Sequence, residues 1–354
     1  MPRAHPGGTV VFSKILIRAT NWVGDAVMSL PAIRAVHARF RAAELVVLAR
    51  PWVADLYARE TGISRVIPYA AASGFRDFSG KLSVARALRR EKFDCAILLQ
   101  NAFEAAAIAW LAGIPRRIGY ARDGRGMLLT DAIPVPRAGE IQRHERFYYL
   151  EMLRRAGLIE EMPPSDAIRL EGADAARASG AGRLEQLGIT VPVVGVSPGA
   201  AYGTAKRWLP ERFAEAAIET ARAQGGSVAF FGSEGERELC QTVTQMVGQA
   251  GVAGHNLAGA TTLSEFIELV AACRVFLTND SGAMHIASAL GVPTVAVFGA
   301  TDDSTTGPTG ALARVVREPV ECSPCLLREC PIDHRCMTRV PAARVAEVAL
   351  QLLR

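Results

Sequence analysis

Short apolar runs alternate with amphipathic stretches from residue 14 to the end of the chain. In the first half the pattern predicts strands at 15–17, 44–49, 65–68 and 95–99, and edge strands at 117–120 and 132–135. Helical spacing occupies 25–41, 51–60, 81–91, 102–112 and 143–156, with Pro51 opening one helix and Gly113 and Pro115 ending another. In the second half strands are expected at 191–196, 227–231, 275–277 and 294–298. Helices are expected there at 175–187, 211–224, 236–247, 263–272 and 284–290, with a last one from Pro341. Strand–helix alternation of this kind builds mostly parallel sheets covered by helices. The expectation is an α/β chain of two doubly wound, Rossmann-like domains facing across a cleft. The loop Met162-Pro163-Pro164-Ser165-Asp166 marks the change between them. It suggests a first domain over 10–172, a second over 173–340 and a closing helix at 341–354.

Loops that leave the carboxyl ends of parallel strands share one edge of the sheet, and ligands bind there. Four of these loops carry polar chemistry. In 18–30, RATNWVGDAVMSL, Gly24 permits close approach and Asp25 stands at a helix start. Asp25 could accept a proton from an attacking hydroxyl, or simply support its helix. In 197–208, SPGAAYGTAKRW, Ser197, Tyr202 and Thr204 offer hydroxyls, Gly203 bends the loop and Lys206 supplies charge. This suits a diphosphate, although the P-loop spacing is absent; the alternative is a solvated basic loop. In 230–238, FFGSEGERE, Glu234 could accept from ribose hydroxyls or serve as helix N-terminal charge. In 278–299, TNDSGAMHIASALGVPTVAVFG, the turn Asp280-Ser281-Gly282 opens a helix toward an anion, with His285 one turn on; the alternative is an ordinary cap with a half-buried histidine.

Composition narrows the class. The net charge of +5 is mildly basic, and no basic run is interleaved with aromatics, so nucleic acid is not expected as a partner. An anionic substrate or a membrane surface fits better. No apolar run approaches a membrane span, and the opening MPRAHPGGTVVFSK reads as a frayed leader rather than a secretory signal. Cytoplasm is the expected compartment. Cys95, Cys240 and Cys273 sit in apolar segments and read as buried thiols. Cys322, Cys325, Cys330 and Cys336, with His334 among them, have spacing compatible with a structural zinc site, with disulfides or with free thiols.

The segments NWVGDAVMSLPAIRA, SPGAAYGTAKRWLPERFAE, FFGSEGERE and TNDSGAMHIASALGVPTVAVFG, in this order, resemble the ADP-heptose:lipopolysaccharide heptosyltransferases of glycosyltransferase family 9, nearest to the heptosyltransferase II branch. The segment LQNAFEAAAIAWLAGIPRRIGYARDGRGMLLTD supports the same likeness, which covers roughly 14–310. The resemblance implies the GT-B architecture, with an acceptor-facing first domain and a sugar-nucleotide-binding second domain. It implies inverting transfer of L-glycero-D-manno-heptose from ADP-heptose to the heptose of the lipopolysaccharide inner core. Asp25 would be the base and Lys206 would act on the donor phosphates. Asp280, Ser281, Gly282 and His285 would hold diphosphate and heptose, Glu234 the ribose, and Thr261 would lie near adenine. The acceptor, lipid A–Kdo–heptose, would meet the protein at the cytoplasmic face of the inner membrane. Gly24, Arg116, Arg117, Arg122, Arg125 and Arg143 are the acceptor-side candidates. No cofactor is implied for catalysis. A heptosyltransferase I or III, a nucleotide-sugar epimerase and a non-catalytic sugar-nucleotide-binding protein remain alternatives, and the oligomeric state is not specified.

Overall fold

A computed structural model describes residues 11–72, 77–164 and 167–354. Most of the expected leader, and Ser165 and Asp166 of the boundary loop, lie outside the described residues. The chain divides into two compact units. The first comprises the segment up to Asn21 with Ser29–Gln142 and Arg146–Pro163. The second comprises Pro164–Arg354 together with Trp22–Met28 and Arg143–Glu145.

The first sheet contains β1 (Lys14–Arg18), β2 (Glu44–Ala49), β3 (Arg65–Pro68), β4 (Cys95–Leu98), β5 (Arg116–Tyr120) and β6 (Asp131–Ile133). Their spatial order is β3-β2-β1-β4-β5-β6, all parallel. The intervening helices are α1 (Val23–Arg39), α2 (Pro51–Tyr57), α3 (Phe78–Glu91), α4 (Phe103–Leu111) and α5 (Glu145–Arg155). β1, β2 and β4 are buried at nearly every position because helices cover both faces of a parallel sheet. Leu16, Val46, Leu98 and Ile108 share one core. The expectation that 117–120 forms an edge strand is corrected: β5 is paired on both sides, with β4 and β6. Its arginines look like edge residues in the sequence, but they sit at the strand's start, where side chains reach past the sheet.

The second unit begins with α6 (Ala173–Gln186), β7 (Val193–Ser197), α7 (Pro210–Gln224), β8 (Ser227–Phe230), α8 (Arg237–Gln249) and β9 (Gly254–Asn256). It continues with α9 (Leu263–Ala271), β10 (Val275–Asn279), α10 (Gly282–Ala289), β11 (Thr294–Phe298), α11 (Asp303–Thr306) and β12 (Ala313–Arg317). It closes with α12 (Arg335–Thr338) and α13 (Ala342–Gln351). The strand order β12-β11-β10-β7-β8-β9 repeats the winding of the first sheet, again all parallel. This is the dinucleotide-fold order, in which the winding reverses beside the first strand of each sheet. β9 and β12 are absent from the sequence expectation. Gly-His-Asn has no apolar residue, and Ala-Arg-Val-Val-Arg does not alternate cleanly, because each strand is an edge. α13 packs against α7, β11 and β12 and buries Val345, Ala346 and Ala349, so it completes the second core. Among the described residues no helix is long and apolar enough to cross a membrane.

Candidate active site

The second sheet changes winding direction between β7 and β10, which are direct neighbours. The loops leaving these two strands therefore start side by side, and Asn279 joins them. Its side-chain amide donates to the carbonyls of Pro198 (2.8 Å) and Gly199 (3.3 Å), and its Oδ1 accepts from the backbone N–H of Trp208 at 2.9 Å. Both ends of the 198–208 loop are thus pinned to one buried residue. Each of these bonds satisfies a polar group that would otherwise be buried alone. Inside the pinned loop, Lys206 donates to Asp280 Oδ2 at 2.6 Å, and the same oxygen accepts from Thr301 Oγ1 at 2.6 Å. Lys206 Nζ also lies 4.8 Å from the Tyr202 ring centroid. Both side chains of the ion pair are largely withdrawn from water, 13% exposed for Lys206 and 5% for Asp280. A buried pair of this kind fixes geometry more than it adds stability. Here it aims an ammonium group that keeps further N–H donors for an anion.

The Trp22–Met28 segment belongs to the same unit. It brings the start of α1 against the start of α10. A Cβ on Gly282 would stand 2.8 Å from Val23 Cβ, and a Cβ on Gly24 would stand 2.9 Å from His285 Cδ2. Glycine is required at both positions by space alone. Two helix N-termini, each carrying the positive end of its helix dipole, therefore meet beside Lys206. Asp25 lies in the first turn of α1. Burial pushes its carboxyl up to about 6, against the opposing pull of the Lys206 charge. His285 is buried, and burial lowers its imidazole to about 4; Asp280 opposes that shift, while His144 and Lys206 add to it. Near neutral pH the site holds a carboxylate able to take a proton, a fixed ammonium group and a neutral imidazole.

The other expected residues fall around this centre. Ser197 is buried at the end of β7, and Ser281 stands at the N-cap position of α10, its Oγ bonded to Thr278 Oγ1 at 3.2 Å rather than to the helix. Tyr202 donates its hydroxyl to the Leu326 carbonyl at 2.9 Å. Gly203 lies directly against Arg328, leaving no room for a side chain. Thr204 opens the short 3-10 turn to Lys206. Glu234 follows β8 and accepts two bonds from Arg237, at 3.0 and 3.1 Å, which hold its carboxyl below the usual range. It also lies against Gly259, two residues before Thr261, so both candidates flank one corner of the sheet edge. Asp280, at the turn before α10, accepts from Lys206 and Thr301 through its Oδ2.

Most of the acceptor-side arginines do other work. Arg116 pairs with Asp131 at 2.9 Å, and Arg117 donates to the Leu128 and Ile114 carbonyls. Arg125 is wholly buried and bonds Tyr120, Gln100 and Asn101. These three brace the first unit, because a guanidinium satisfies several carbonyls where strands end. Arg122 is exposed beside Asp123, and Arg143, 70% exposed, pairs with Asp302 within the second unit.

The profile of glycosyltransferase family 9 (heptosyltransferase) matches residues 81–335. The chain belongs to this family. It is 31% identical over 309 residues to lipopolysaccharide heptosyltransferase 2 of Escherichia coli, covering 86% of this chain and 88% of that one. It is 32% identical to the Salmonella typhimurium protein of the same name, with the same coverage. The solved structure of E. coli ADP-heptose LPS heptosyltransferase II aligns with 96% of this chain and 98% of that one, at 28% identity and a TM-score of 0.78. The α/β class and its GT-B form, expected from the sequence, are those of the chain.

Several residues of this family 9 glycosyltransferase escape sequence reasoning. Asn279 looks like the end of a strand, and Thr301 lies beyond the next one; their partners, Trp208 and Asp280, are far away in the sequence. In the first unit, Glu104 meets Lys81 at 3.1 Å and Arg50 at 3.4 Å, and it accepts from the Tyr69 hydroxyl at 2.9 Å. Arg18 and Arg50 stack on Tyr69 at 4.9 and 4.3 Å. Glu104 thus offsets the buried positive charge of Lys81 and Arg50. The only signal for it in the sequence is a charged residue directly after an apolar run.

Proposed function

We propose that this protein transfers a heptose from ADP-heptose to a heptose of the lipopolysaccharide inner core, with inversion at the anomeric carbon. The observation that carries the reading is Asp25, its proton affinity raised by burial, in the same unit as an ammonium group fixed by Asp280. The relatives named above are named as lipopolysaccharide heptosyltransferases, the solved one with ADP-heptose. In the reaction the acceptor hydroxyl attacks the anomeric carbon, forming a C–O bond as the bond to the diphosphate oxygen breaks. The hydroxyl proton passes to Asp25, and ADP leaves with the bonding pair. Negative charge grows on the diphosphate during this step. Lys206 and the N–H groups at the start of α10 therefore act more strongly on the transition state than on the bound donor. His285, neutral, packs against Gly24 without competing for the proton. Glu234 and Thr261 frame the nucleoside, and exposed Arg122 and Arg143 offer charge to an anionic acceptor. The acceptor is a lipid, so the protein works at the cytoplasmic surface of the inner membrane, where its net positive charge favours anionic headgroups.

Mass spectrometry of the product from ADP-heptose and a defined one-heptose acceptor tests this reading. A mass gain of one heptose, with ADP released in equal amount, is expected. Asp25→Asn should still bind ADP while losing roughly 10²–10⁴-fold in turnover, the usual range for a removed general base. Lys206→Ala should weaken ADP binding itself. Unchanged turnover in Asp25→Asn would remove that residue as base, and no heptose adduct with wild type would end the assignment.

A further inference from the structure

We propose that Cys322, Cys325, Cys330 and Cys336 together bind one thiophilic divalent ion of the zinc class, and that this ion holds the loop carrying Lys206. Four of the chain's seven cysteines fall between residues 322 and 336. All four line a single cavity of about 70 Å³ whose wall includes Ala205, Ala300 and His334. None is in a disulfide. The other cysteines, Cys95, Cys240 and Cys273, are dispersed and buried.

The segment has no regular structure of its own. Between β12 and α12 there is no helix or strand, and Leu326, Leu327 and Ile332 point outward, 61%, 44% and 58% exposed. A loop this long, without regular structure, buries too little apolar surface to fix itself, and a metal cross-link is a common substitute. Among the described residues no three ligand side chains already stand at bonding distance. Binding would therefore draw the four thiolates inward around the ion, closing the cavity to the tetrahedral arrangement such ions take from cysteine. His334 is engaged elsewhere: its Nε2 lies 3.0 Å from the Ala205 carbonyl.

The consequence for the site follows from the segment's hydrogen bonds. The Arg328 carbonyl accepts from Ala205 N–H at 2.9 Å, and the Leu326 carbonyl accepts from Tyr202. On its other side, Leu326 N–H donates to Ala300 at 2.8 Å, and Ser323 Oγ donates to Gly299 at 2.6 Å. The two loops it ties down carry Lys206 and Thr301, the two donors to Asp280. A metal-held segment thus sets the position of Lys206. This second half rests on the reading of Lys206 as the phosphate ligand.

The test uses the full chain, purified under reducing conditions. Elemental analysis should find one equivalent of zinc per chain. Cobalt added to the metal-free protein should give thiolate-to-cobalt charge-transfer absorption, lost in Cys322→Ser/Cys325→Ser. Chelation should weaken ADP binding several-fold by calorimetry, and zinc should restore it. Substoichiometric metal after growth in zinc, together with no cobalt band, would overturn the proposal, as would disulfides among these cysteines in the freshly isolated protein. Metal binding with ADP affinity indifferent to chelation would overturn the coupling alone. Failure of the metal-loaded wild type to bind ADP would instead count against the phosphate site, leaving the metal site standing.

Discussion

Burial moves Asp25 and His285 in opposite directions, and the two shifts have different consequences for stability. The Asp25 carboxyl is raised to about 6, so the folded protein binds that proton more tightly than the unfolded chain does. Its contribution is fully present below the unfolded carboxyl value and is lost as pH rises through about 6. The His285 imidazole is lowered to about 4, so its contribution is present above the unfolded value of 6.5 and is lost as pH falls toward 4. Two measurements check this. The melting temperature of Asp25→Asn relative to wild type should be higher near pH 8 than near pH 5. His285→Gln should blunt the loss of stability that wild type shows between about pH 6.5 and 5. Transfer should rise with pH through about 6 and then level, since only the ionised Asp25 accepts a proton. A rate independent of pH across that range would contradict the base assignment.

At the level of elements, function depends on where α1 and α10 begin. Their first residues touch because Gly282 leaves space for Val23 and Gly24 leaves space for His285. Gly282→Ala should push the two helix starts apart and cost roughly 1–3 kcal/mol, as overpacking does. Denaturant unfolding would measure that loss, and turnover should fall with it; an unaffected variant would show that the close approach is not needed. The helix pattern and the Gly-Asp and Asp-Ser-Gly turns are legible in the sequence, because capping and turn chemistry are local. The contact between the two starts is not, because residues 24 and 285 belong to distant segments. The same limit explains Arg116, Arg117 and Arg125. A run of arginines reads as a basic surface until strand ends supply the carbonyls and the carboxylate that absorb them.

For the whole molecule, each unit has its own core, and the chain's last helix belongs to the second. Removing 341–354 would take Val345, Ala346 and Ala349 from that core and strip away the helix that follows Val340, whose carbonyl accepts from the Trp208 indole. Val345 alone represents roughly 1.5–3 kcal/mol of buried apolar surface. The truncated protein should lose ADP binding together with its cooperative melting transition, as followed by calorimetry; retention of both would show that α13 is dispensable.

The sequence by itself determined the alternation of strands and helices, the two-fold repetition of the doubly wound pattern, the loops that carry the chemistry and the family. These are properties of periodicity, turn residues and motif spacing, which act over a few neighbouring positions. Tertiary structure alone decided that Asp280 pairs with Lys206, that Asn279 pins the lysine loop, and that Arg116, Arg117 and Arg125 brace the first unit. It also gathered four cysteines around one cavity beside that loop. Each of these depends on which charged or polar group finds a partner once water is excluded, and that partner is chosen by the winding of the sheet rather than by distance along the chain.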